Sequence, residues 1–309
     1  MKIAIIGRTR TLLDTARLLH KEGVEIPLIW TYRDESHYGA SISDFENLAK
    51  ELKADFYTEF NICSPKNIER IRRYGCELAI SINWISIINK DLIDVFPNGI
   101  LNAHMGDLPR YKGNAVPNWA ILNQEDQVGL CIHQMTPELD SGPIVKKDFF
   151  KLTDNTYISE VYDWFHKMSP RLFLDSVKAF KIGNANNYKQ SSATRQLRCF
   201  PRRPEDSRID WNQSVDAIHR LIRASSKPFS GAFSFLEGQQ KITIWKATPY
   251  KYNGDFSAVP GQVCFSINNN PVIACKGGML MLQDVSVDGT EDHVTSSSLI
   301  LKSLRNRLI

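Results

Sequence analysis

An α/β chain in two parts is what this sequence predicts: a Rossmann-like, mostly parallel sheet followed by a small β-barrel of OB-like form. Three observations lead there. Continuous apolar runs alternate with stretches of helical apolar spacing as far as about Asn187. A polar, basic stretch holding Pro201 and Pro204 then interrupts the pattern. Beyond it come short β-type runs separated by turn residues, the spacing expected of a small barrel. The expected divisions are a larger domain over residues 1–187, a linker over 188–207 and a second domain over 208–309.

The first run, IAIIG, is apolar throughout, as befits a strand buried on both faces. Residues 11–21 place Leu12, Leu13, Ala16 and Leu19 at helical spacing, and IPLIWTY reads as a second strand. Residues 45–52 and 68–74 predict helices, ELAISINW another buried strand, and residues 161–182 a long amphipathic helix closing the first domain. The first strand runs into Gly7-Arg8-Thr9-Arg10-Thr11 and not into G-x-G-x-x-G, so a nicotinamide cofactor is not expected. A strand-to-helix turn with two arginines can hold a phosphate through helix amides and guanidinium groups. Arg8 and Arg10 can equally be solvated surface charges, and the residues alone leave both readings open. After the linker, Val215, Ile218, Leu221 and Ile222 mark an amphipathic helix, followed by the runs GAFSFLEG, KITIWKA, GQVCFSI, PVIACKGG and MLMLQDVSV.

Composition narrows the classes. A chain of 309 residues, 42% hydrophobic and 23% charged, can build two cores, and it has no apolar run near the ~20 residues a bilayer span requires. Met1-Lys2 leads directly into the first apolar run with no secretory leader, so a cytoplasmic location is expected. A net charge of +4 permits small anionic ligands without demanding nucleic acid. The six cysteines are scattered with no C-x-x-C pair, so reduced thiols and no metal site are expected; Cys131 and His133 share a strand face but lack further ligands.

The chemistry concentrates in residues 99–140, GILNAHMGDLPRYKGNAVPNWAILNQEDQVGLCIHQMTPELD. An apolar strand delivers Asn102 and His104 two residues apart, so both side chains share one face. A loop with Gly106, Pro109 and Gly113 follows, then a strand-like run over 128–133 and an acidic turn at Glu138 and Asp140. That layout can return a carboxylate to the imidazole. Imidazole, carboxamide and carboxylate together can move protons and hold an oxyanion during acyl transfer.

The wording of this stretch carries a resemblance. Asn102-x-His104, LPRYKG, NWAILN and Leu139-Asp140-Ser141-Gly142, in that order, resemble the 10-formyltetrahydrofolate-dependent formyltransferase family, which includes methionyl-tRNA and sugar-nucleotide N-formyltransferases. IDW, IRA, PFSGAFSF and TIWKA resemble recurring phrases of the family's barrel-like C-terminal domain. One departure is visible: Met105-Gly106-Asp107-Leu108-Pro109 stands where the family commonly has a Ser-Leu-Leu-Pro type sequence.

The resemblance implies that residues 1–187 are catalytic. It makes Asn102 the oxyanion donor, His104 the acceptor of the amine proton and Asp140 the group that orients the imidazole, and it leaves open which group protonates the departing folate nitrogen. The formyl donor would be 10-formyltetrahydrofolate, against a wall of Trp84, Ile85, Ser86, Ile87, Ile88, Glu138 and Leu139. The substrate would meet Arg8, Thr9, Arg10, Met105, Gly106, Tyr111 and Lys112, with the two arginines toward a phosphate.

Methionyl-tRNA members carry a basic insertion after the second strand. Here that segment, YRDESHYGASISDFENLAKELK, is mixed in sign, and HYGASI together with Arg202-Arg203-Pro204-Glu205-Asp206-Ser207 resembles sugar-nucleotide members of the UDP-4-amino-4-deoxy-L-arabinose type. The expected acceptor is a nucleotide-linked amino sugar feeding a polysaccharide such as lipopolysaccharide O-antigen, with no second catalytic half, no nucleic acid and no membrane partner. The alternatives are a methionyl-tRNA formyltransferase and an inactive folate- or nucleotide-binding module. Pairing of an apolar barrel strand between copies would give a homodimer, which periodicity leaves open.

Overall fold

The computed structural model describes all residues except 34–37, 186, 192–194 and 291. Part of the HYGASI phrase therefore lies outside the described residues. In chain order the elements are β1 (Lys2–Gly7), α1 (Arg10–Lys21), β2 (Glu25–Trp30), α2 (Ile42–Leu52), β3 (Asp55–Tyr57), α3 (Pro65–Arg72), β4 (Leu78–Ile82), α4 (Lys90–Ile93), β5 (Ile100–His104), β6 (Tyr111–Gly113), α5 (Val116–Leu122), β7 (Gln127–Gln134), β8 (Ile144–Lys151), α6 (Ile158–Lys181) and β9 (Leu197–Cys199). They continue with a 3₁₀ turn (Pro204–Ser207), α7 (Val215–Ser225), β10 (Ala232–Leu236), β11 (Gln240–Tyr250), β12 (Val263–Ile267), β13 (Asn270–Cys275), β14 (Gly278–Val287) and α8 (His293–Ile300). Two compact units emerge. One comprises 1–116, 127–151 and 162–199, the other 117–126, 152–161 and 200–309.

The first unit is built on a seven-stranded sheet in the order β3-β2-β1-β4-β5-β7-β8. Strands β1 to β5 run parallel, whereas β7 is antiparallel to β5 and β8 to β7. The apolar run IAIIG is buried on both faces because each face has its own core. Ile3 and Ile5 point into one with Leu101, Ala103, Phe165 and Phe173, while Ala4 and Ile6 point into the other with Leu28, Ile80's neighbour Ala79 and Ile100. Helix starts are set by local chemistry. Thr9 accepts from Leu12 N at α1, Ser41 and Asp44 form a capping box at α2, and Ser64 caps α3 just before Pro65. Each such cap stabilises its helix by about 1 kcal/mol.

The second unit departs from the expected OB-like barrel. Its five-stranded antiparallel sheet has the order β10-β11-β14-β13-β12 and is open, with no ladder between β10 and β12 among the described residues. The C-terminal residues occupy the outer bonding groups instead. Phe235 and Ile309 exchange both main-chain bonds, Val263 N donates to Asn306 O, and Leu308 N donates to Gly261 O. Helix α7, capped by Ser214, packs Ile218 and Ile222 into this unit's core beside Val263, Leu280 and Leu308. The shorter segments belong here through specific bonds: Asn118 donates to Ala224 O, Arg223 to the carbonyls of Thr153 and Thr156, and the Tyr157 hydroxyl to Ala247 O.

All six cysteines are free thiols. Among the described residues no helix is long and apolar enough to cross a membrane, and no group of three or more His, Cys, Asp or Glu is placed to hold a metal ion.

Candidate active site

The site lies on β5 and the segments folded over it. Ile100 faces one core and Leu101 and Ala103 the other, so alternation turns Asn102 and His104 to the same face as Ile100. In the β5–β7 ladder Asn102 pairs with His133 and His104 with Cys131. This register brings His133, 31 residues away in sequence, against Asn102, whose Nδ2 donates to His133 Nε2 at 3.1 Å. The other ring nitrogen, Nδ1, donates to Gln134 O at 2.9 Å. Burial, with the nearby His104 as a lesser cause, pushes the His133 imidazole down to about 4, so it is neutral at pH 7 and can accept from the carboxamide.

His104 Nε2 donates to the carbonyl of Tyr111 at 2.9 Å; a carbonyl only accepts, so this nitrogen carries the proton. Nδ1 then faces Asp140, whose Oδ2 lies 3.6 Å away. The other carboxylate oxygen is 3.8 Å from His133 Nε2. Both separations exceed hydrogen-bond range, and both imidazoles are neutral as protonated here, so neither contact is an ion pair; the His104 and Asp140 side chains are 8% and 9% exposed. One true bond fixes the carboxylate, from Gly113 N to Oδ2 at 2.9 Å. Asp140 itself sits at φ 49, in the left-handed region. Just beyond it, a Cβ on Gly142 would overlap the carbonyl of Gln134, so only glycine lets this turn close onto β7.

The other expected site residues divide. In the loop after β4, Ser86 and Ile87 are exposed and Ile85 is partly so, while Trp84 is half-buried with Nε1 on Ser86 Oγ. Ile88, at 1% exposure, turns its side chain into the core with Leu92 and Phe96, so any part it takes in a cofactor wall would be through its backbone. Glu138 and Leu139 are exposed. Met105 packs against the core of the first unit. Gly106 is buried against the His104 ring, where a Cβ would meet Nε2 and the Tyr111 carbonyl, so its role is to admit the imidazole.

Tyr111 is 2% exposed and reaches His104 by its backbone carbonyl. Lys112 is buried and donates to Ser141 Oγ at 3.0 Å, bracing the turn that carries Asp140. Arg8 is buried, donates to Asn83 O at 2.9 Å and lies over the Tyr38 ring. Thr9 spends its hydroxyl on the α1 cap, and Arg10 pairs with Asp14. Sequence reasoning missed His133, the Gly113 amide and Gln190. The alternation that pairs Cys131 with His133 on one face was the available signal for the first. Cys131 is no competing nucleophile, since burial pushes its thiol up to about 11.

Comparison with known proteins identifies the family. The sequence matches the formyl transferase family over residues 1–177 and the formyl transferase C-terminal domain over 202–297. Among solved structures, an N-formyltransferase from Helicobacter canadensis in complex with folinic acid and dTDP-3-aminofucose is similar at 17% identity and TM-score 0.63, over 92% of this chain and 99% of that one. A 4-N formyltransferase from Francisella tularensis is similar at 16% identity and TM-score 0.60, over 75% and 91%. HypX from Aquifex aeolicus, in complex with tetrahydrofolic acid, is similar at 16% identity and TM-score 0.63, over 91% of this chain and 43% of that one. The present chain thus spans less than half the length of HypX. Matched through the whole of the sheet that carries Asn102, His104 and Asp140, and again beyond residue 201, the chain belongs to the formyl transferase family.

Proposed function

We propose that this protein moves a formyl group from 10-formyltetrahydrofolate to the amine of a nucleotide-linked amino sugar, with Asn102, His104 and Asp140 as the reacting constellation. The observation that carries the reading is the convergence of the three side chains, with Asp140 returning across the sequence to 3.6 Å from His104. The residues present suit the donor. The loop after β4 exposes Ile87 beside a half-buried Trp84, and the loop after β7 exposes Leu139, giving apolar surface for an aromatic body. Bound there, 10-formyltetrahydrofolate supplies the formyl carbon.

The chain's own residues divide the remaining work. His133 takes one N–H of the Asn102 carboxamide and so fixes its plane, leaving the second N–H to meet an oxyanion, a contribution of roughly 3 kcal/mol in comparable sites. With Nε2 protonated, Nδ1 is the basic nitrogen of His104. A proton taken there from the amine lies against the Asp140 carboxylate, which balances the new charge. Burial of the His104 and Asp140 side chains strengthens the interaction of a protonated His104 with Asp140 by excluding water. The reading assigns the substrate phosphate to Arg8, a buried residue just after β1 whose guanidinium also donates to Asn83 O.

The acceptor class rests on the absence of a basic run after β2 and on the likeness to sugar N-formyltransferases. The reading puts the reaction in the cytoplasm, with its product feeding a surface polysaccharide such as lipopolysaccharide O-antigen. Incubation with 10-formyltetrahydrofolate and a panel of amino-sugar nucleotides should release tetrahydrofolate. Release with charged methionyl-tRNA alone would overturn the acceptor class, and release with no acceptor in the panel would favour a binding module.

A further inference from the structure

We propose that Gln190 is a positioning residue for the Asp140 carboxylate, acting through the backbone of the turn that carries it. The proposal rests on the catalytic reading of Asp140 given above. The side-chain amide of Gln190 donates both hydrogens to that turn, one to Asp140 O and one to Gly142 O, each at 2.8 Å. Main-chain ladders tie down the described residues on either side of it. Tyr188 and Ile144, the first residue of β8, exchange a pair of main-chain bonds at 2.9 Å, which fixes the chain two residues before Gln190. Farther along the same stretch, β9 pairs in parallel with β6, so one segment buttresses both Gly113, which bonds the carboxylate, and the turn that presents it.

The bonds matter because the turn is held where a side chain resists being held. Asp140 has φ 49, in the left-handed region, where a side chain is held at a cost. Released, the peptide would relax and swing the carboxylate away from the Gly113 amide and from His104. Glutamine is suited by its donors and not by its acceptor: among the described residues no donor reaches its buried Oε1. An isosteric glutamate would aim oxygen at two carbonyls and repel the turn it should hold.

The test is a double-mutant cycle on turnover. Gln190→Ala should lower kcat between about 10- and 100-fold, the cost of an ångström-scale misplacement, with KM for both substrates within about twofold. Gln190→Glu keeps the shape, should lose at least as much, and serves in place of alanine if that variant does not fold. In an Asp140→Asn background the Gln190 substitutions should cost nothing further, since the group they position is already gone. An unchanged kcat in Gln190→Ala and Gln190→Glu, or an undiminished loss in the Asp140→Asn background, overturns the proposal alone. Wild-type turnover in Asp140→Asn overturns the catalytic reading of Asp140 and this proposal with it.

Discussion

Asn102 and His133 stand directly opposite in the antiparallel β5–β7 ladder, and the carboxamide of one donates to the imidazole of the other. A hydrogen-bonded cross-strand pair of this kind makes the orientation of the Asn102 carboxamide, the proposed oxyanion donor, depend on the His133 ring. His133→Ala should therefore lower kcat by about tenfold or more while leaving substrate KM little changed. Steady-state kinetics of the two variants His133→Ala and Asn102→Ala check this; the double variant should be no worse than Asn102→Ala.

Acid should weaken the fold through histidines kept neutral by burial. His133 and His219 are each pushed down to about 4, with burial the largest cause. In the unfolded chain both return to about 6.5 and bind protons first, so the unfolded state gains as pH falls. Stability from these groups is complete above about pH 6.5 and is lost as pH drops toward about 4. Denaturant midpoints taken across that window should fall, and His133→Gln should flatten the slope.

Removing the proton acceptor should separate binding from chemistry. His104→Ala is expected to abolish most transfer, a loss of about 10² to 10⁴ in kcat, while folate binding followed by fluorescence titration stays within a few fold. Near wild-type turnover in that variant would remove His104 from the mechanism.

Gly106→Ala should harm activity without unfolding the protein. The new methyl group would collide with His104 Nε2 and with the Tyr111 carbonyl that holds it. The ring must shift, so kcat should fall by about tenfold or more with an unchanged circular dichroism spectrum.

The second unit should be sensitive at its last strand-like residues. Leu308 is 1% exposed and lies in the core with Ile218, Val263 and Leu280. Leu308→Ala should cost about 2–5 kcal/mol, read as a lowered midpoint in denaturant.

Much of this was legible where one residue determines its neighbour. IAIIG announced a strand buried on both faces, and the spacing of Asn102 and His104 announced a shared face, because alternation is a property of consecutive residues. Pairings between distant segments were not legible. The barrel inferred from evenly spaced short runs is an open sheet, since strand order and closure depend on which edges meet, and no local pattern encodes that. The stretch around Gln190 looked like a linker because its residues are polar. It holds the site through main-chain bonds at Tyr188 and β9, which carry no hydrophobic signature.

The backbone at Asp140, φ 49, is one that glycine and asparagine adopt with less penalty than aspartate. Selection for heat tolerance alone will drift toward those replacements, and each trades the carboxylate for a sturdier bend. On the proposed reading of Asp140, durability and turnover pull in opposite directions at a single peptide, and a library screened only by melting temperature would enrich variants without that carboxylate.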